Sequence, residues 1–234
     1  MLDSDQSGSK YSFTGVGLLA SLLLSLLILP LFEEMKAGRP VLISGYSLTL
    51  ICAAIAARSN LRTFAIAFLS VALPAGFASM LVEWKWLFVT HCLAGSLFFW
   101  YVGGKILTKT LLSQEVDFDS VLKALSAYLL FGLAWALTYW AAYTVNPDSL
   151  QSPQFQDTVA STEIVGEFSI FVYYSFVTMS TLGYGDIIPA GRITRTLAWM
   201  QSVTGQFYVA VGIAWLVSSL PKVYELPRNN PDKD

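Results

Sequence analysis

Charge is what this chain has least of: charged residues fill 13% of its 234 positions, against 55% that are hydrophobic. A soluble domain carries roughly twice that charge, and the mean hydropathy of +0.57 points instead to a membrane. The net charge of −2 leaves no basic footprint for nucleic acid. Histidine occurs once, at His91, and cysteine twice, at Cys52 and Cys92. With so few ligating groups there is no metal-binding spacing, no Ser/His/Asp set and no phosphate-cradling loop, so an enzyme is not expected. Both thiols lie inside apolar runs and read as buried and free rather than as a disulfide.

What the chain does have is long apolar runs, and a membrane span needs about 20 such residues. The 1–12 segment is polar, with Asp3 and Asp5, unlike the basic leader of a signal peptide. Residues 13–32 read as the first span, 41–57 as a short second and 63–82 as a third, kinked at Pro74 and Gly76. The fourth, 84–104, opens with Trp84 and Trp86 and closes with Trp100 and Tyr101, rings suited to the two interfaces. A polar linker, 105–121, precedes the fifth span, 122–145. The loop 146–166 has Ser, Gln and acidic residues and no Lys or Arg, and a sixth span, 194–220, is stopped by Pro221 before a short charged tail, 221–234.

Basic residues set orientation. With the N-terminus inside, the inner segments hold Lys10, Arg58, Arg62, Lys105, Lys109, Lys123, Lys222, Arg228 and Lys233, nine against five outside (Lys36, Arg39, Lys85, Arg192 and Arg195). Both termini are therefore expected in the cytoplasm, with 146–166 and Asp186 outside. The expected location is multi-pass, in a bacterial inner membrane or a plasma membrane.

One stretch organises the rest: EFSIFVYYSFVTMSTLGYGDIIP, residues 167–189. An aromatic segment of helical length ends in Thr-Leu-Gly-Tyr-Gly-Asp, where two glycines can adopt φ > 0 at little cost. Such a strand can point successive carbonyls one way, and rings of inward carbonyls replace an ion's hydration shell. The motif occurs once per chain, so several chains must build a pore. This stretch resembles the pore helix (167–180), selectivity filter (181–186) and outer mouth of prokaryotic-type potassium channels with six transmembrane segments. The resemblance implies an all-α membrane protein: six spanning helices plus a re-entrant pore helix, with the pore domain 122–220 assembled as a homotetramer in lipid.

The same resemblance assigns roles. Thr181, Leu182, Gly183 and Tyr184 would ligate permeant K+, with Gly185 finishing the strand. Tyr173 and Tyr174 match positions of an aromatic cuff, and Tyr173 could donate to Asp186 at the mouth. Leu182 and Ser180 stand where relatives often carry Val and Thr, and Val177 where some carry a filter-backing Glu. Gly205 matches a position where inner helices bend; close packing against a neighbouring helix is the other reading, and Gly212 is a second hinge candidate. Val209, Ile213, Leu216 and Val217 recur at helical spacing, as gate or as packing.

The 13–104 region takes the place of a voltage-sensing domain, yet the fourth span has no Arg or Lys between Lys85 and Lys105. Little or no voltage sensing is expected. His91 inside that span is either a proton-responsive group or a neutral contact between helices. No regulatory domain is legible, so a gating ligand is expected to act on the membrane portion, the outer loop or an unidentified regulatory subunit. The leading expectation is a potassium-selective channel with passive conduction. The alternatives are a weakly selective cation channel, in which Leu182 loosens the filter, and a pore-like subunit of a potassium transport system.

Overall fold

The computed structural model of the chain describes residues 13–33, 85–113, 118–152 and 168–219. The expected spans 41–57 and 63–82, the 1–12 segment, most of the 146–166 loop and the 221–234 tail lie outside the described residues, as do the side chains of Leu216 and Val217. Among the described residues the chain is helical: α1 (Phe13–Glu33), α2 (Lys85–Leu111), α3 (Phe118–Val145), α4 (Phe168–Met179) and α5 (Arg192–Ser219). A one-turn 3-10 helix, Pro147–Ser149, and two short strands, β1 (Leu150–Gln151) and β2 (Ile188–Pro189), complete the order. Helices α2 and α3 are each long and apolar enough to cross a membrane.

The bundle is arranged around α3. Residues 130–137 are buried without a break, the pattern of a helix enclosed on every side, and α1, α2, α4 and α5 all pack on it. Lipid is as apolar as Leu, so such contacts are held by close packing and hydrogen bonds rather than by the hydrophobic effect. Gly103 of α2 supplies the close approach: a Cβ there would lie 2.8 Å from the Phe131 ring. Trp100 packs between Phe131 and Trp135, with ring centroids 4.7 and 5.8 Å away. Ser96 Oγ donates to Ala134 O at 2.8 Å, adding one buried polar tie.

Within the polar 105–121 linker, the described residues are largely helical. Helix α2 continues through Lys105 and Lys109 to Leu111, and α3 begins at Phe118. Lysine's long apolar stem lets a helix carry a charge near an interface without ending there, and Lys105 Nζ lies 5.7 Å from the Tyr101 ring. Asp119 in the first turn of α3 suits the helix dipole. It pairs with Lys123 one turn on and accepts from Gly15 N at 3.0 Å. The N-terminal ends of α1 and α3 therefore lie together, with Leu18 and Leu22 of α1 buried in the core.

Candidate functional site

Helix α4 owes its position to ring packing against α3. Phe168 and Phe171 stack on Trp140, with centroids 5.0 and 5.9 Å apart, and Tyr174 meets Tyr139 edge-on at 4.7 Å. Gly132 admits the Phe176 ring, since a Cβ there would lie 2.4 Å from it.

The end of α4 sets the geometry of the strand that leaves it. Leu182 N donates to Val177 O at 3.0 Å and Thr181 N to Thr178 O at 3.1 Å. This six-to-one and five-to-two pair is a Schellman cap, which needs a left-handed residue at the position Thr181 occupies. Thr181 has φ 60°. Glycine usually fills that position, and a β-branched side chain there is an outlier costing about 1–3 kcal/mol. The α4 cap and the first residue of the strand are thus one strained residue.

Two further positive φ values occur at alternate positions: 58° at Gly183 and 81° at Gly185, while Leu182 and Tyr184 keep negative φ. A backbone that alternates the sign of φ residue by residue can turn successive peptide planes the same way. The six residues 181–186 are all exposed in the single chain. Leu182 is 59% and Tyr184 68% accessible, so nothing among the described residues covers the strand.

The exit from the strand is clamped. Tyr173 OH donates to Asp186 Oδ2 at 2.6 Å, the contact the sequence suggested, and Asp186 Oδ1 accepts from Ile187 N at 3.1 Å. Strand β2 pairs with β1, Leu150 opposite Pro189. Ser149 O accepts from Ala190 N, Gly191 N and Thr194 Oγ1 at 2.9, 3.0 and 2.7 Å, which ties the start of α5 to the end of α3. Tyr173→Phe is expected to leave assembly unchanged while raising amide hydrogen exchange at Gly185, Asp186 and Ile187. Unchanged exchange would mean that the phenol does not hold the mouth.

The sequence-predicted residues separate into two groups. Thr181 to Asp186 and Tyr173 come together, whereas Tyr174 packs on Tyr139 of its own chain, so a cuff around Tyr184 would need another copy to complete it. His91 is buried on α2, away from this strand in sequence and on a different helix. Helix α5 runs unbroken through Gly205, where a Cβ would lie 2.1 Å from Met179 O. That observation favours close packing at Gly205; at Gly212 nothing lies within 4 Å of an added Cβ. Gln201, fully buried against α4, is a contact that sequence reasoning missed. The sequence offered no clear signal, since Gln201 sits beside Ser202, Thr204 and Gln206 on the same helix.

A helix end that launches a segment of alternating φ, between α3 and α5, agrees with the pore region of an ion channel. Residues 127–221, from within α3 to just past α5, match a family model described as Ion channel. Comparisons with curated proteins and with solved structures find no match.

Proposed function

We propose that the chain is a potassium-selective channel subunit conducting passively, without catalysis, through a pore shared by four copies. The observation that carries this reading is the alternation of positive φ at Thr181, Gly183 and Gly185. Such a backbone would let the carbonyls of Thr181, Leu182, Gly183 and Tyr184 face one side, where a ring of copies would replace a cation's water with oxygen ligands. Potassium is the cargo. The exposed apolar side chains of α5, among them Ile193, Trp199, Val203 and Phe207, suit contact with other copies and with lipid.

The six-span topology has its own support. Helices α1 and α3 start at the same end of the bundle, and α2 leads into α3 across a short connection. The sequence holds two further apolar runs, 41–57 and 63–82, which suit two more spans. Cytoplasmic termini follow from the basic-residue count.

A second reading has one observation in its favour: Leu182, unbranched at Cβ and exposed, is freer at χ1 than a valine, which suits a weakly selective cation pore. Flux into liposomes holding the purified chain separates the two. Potassium uptake with sodium excluded supports selectivity; equal uptake of both supports the second reading.

Voltage should matter little. Moving one charge through the field is worth about 2.3 kcal/mol per 100 mV, and α2 has no Arg or Lys between Lys85 and Lys105. The expected conductance is flat with voltage in planar bilayers, and a steep sigmoid would contradict this.

A further inference from the structure

Behind the strand, α3, α4 and α5 meet at one hydroxyl. Gln201 and Ser175 are both fully buried. Gln201 Nε2 donates to Ser175 Oγ at 2.8 Å and to Ser175 O at 3.0 Å, and Ser175 Oγ donates in turn to Gly132 O at 2.6 Å. Further along the same face of α5, Ser202 Oγ donates to Thr178 O at 3.2 Å, and Gly205 closes on Met179 O. The acceptors on α4 belong to its last turns, the ones that deliver Thr181 into its left-handed conformation.

We infer that Gln201 is a positioning residue for ion selectivity, an uncharged brace that fixes how far the end of α4 stands from the pore axis. The inference rests on the potassium-filter reading of 181–184. Val177 leaves no carboxylate on α4 to brace the strand, and the amide ties α4 from the α5 side instead. A buried donor that loses its acceptor has no water to turn to. The end of α4 therefore cannot rotate or slide along α5 without leaving the buried Gln201 Nε2 unsatisfied. Gln201 Oε1 has no hydrogen-bond partner among the described residues, so the side chain acts here only as a donor. Removing its two N–H groups removes its contribution, while a residue of similar volume keeps the packing.

The test compares wild type, Gln201→Met, Ser175→Ala and the double variant as purified tetramers in planar bilayers, reading the K+/Na+ permeability ratio under bi-ionic conditions. The ratio is expected to fall about tenfold in each single variant, equivalent to about 1.4 kcal/mol. The double variant is expected to fall no further, because both substitutions break one unit. An unchanged ratio in assembled Gln201→Met overturns the inference. If that variant does not assemble, Ser175→Ala decides alone: a lowered ratio supports the brace, and an unchanged one overturns it. A wild type without potassium preference sinks the filter reading itself, whereas a selective wild type beside equally selective variants sinks only the role of Gln201.

Discussion

Gly205→Ala is expected to lower potassium flux at least about tenfold and to reduce the yield of assembled protein, an overpacking effect of about 1–3 kcal/mol per chain or more. The added Cβ would lie 2.1 Å from Met179 O and 3.0 Å from Met179 C. A carbon and a carbonyl oxygen tolerate about 3.3 Å, so α5 and α4 would have to part by on the order of 1 Å. They are not free to do so. Gln201 to Ser175 and Ser202 to Thr178 join the same two helices within one turn of the clash. The displacement therefore passes into Met179 and Ser180, the residues that lead into Thr181. Gly212→Ala is the matched control, because nothing among the described residues lies within 4 Å of its Cβ. Alanine there should leave folding of the chain intact, and helix propensity favours it by about 0.5–1 kcal/mol. Equal flux and yield for Gly205→Ala and wild type would show that the close approach is not needed.

Gly183→Ala is expected to abolish potassium conduction while leaving the protein assembled. Here space is not the obstacle, since an added Cβ meets nothing within 4 Å among the described residues. The backbone is the obstacle: φ is 58°, and an L-residue in that region costs roughly 1–2 kcal/mol, incurred again in every copy of the pore. If φ relaxes to negative values, the peptide plane turns and its carbonyl leaves the shared side. Leu182→Val, at a position without positive φ, should keep conduction and sharpen selectivity if χ1 freedom matters. Conduction by assembled Gly183→Ala at the wild-type rate would contradict the alternating-backbone account.

The sequence made the centre of the fold legible and its edges less so. Helix α4 was expected over 167–180 and runs Phe168–Met179, because an aromatic run bounded by polar residues and then by Gly183 leaves little choice of limits. The polarity of 105–121 did not show where α2 ends, because the apolar stems of Lys105 and Lys109 allow it to continue to Leu111. At the site, Gly183 and Gly185 announced positive φ through composition. Thr181 could not, since a β-branched residue argues against the conformation that the α4 cap imposes on it. Gly205 was legible only as a choice between bending and close packing, and Met179 O favours the second. The Gln201 brace was not legible at all. Its partner Ser175 lies on another helix, 26 positions earlier, and spacing along one helix carries no information about a contact across two.

The central claim, that the carbonyls of 181–184 select potassium, is tested most directly by one reversal potential. Wild-type protein in a planar bilayer, with potassium on one side and sodium on the other, should reverse strongly on the side set by potassium. Reversal near zero would contradict the claim and leave an unselective cation pore.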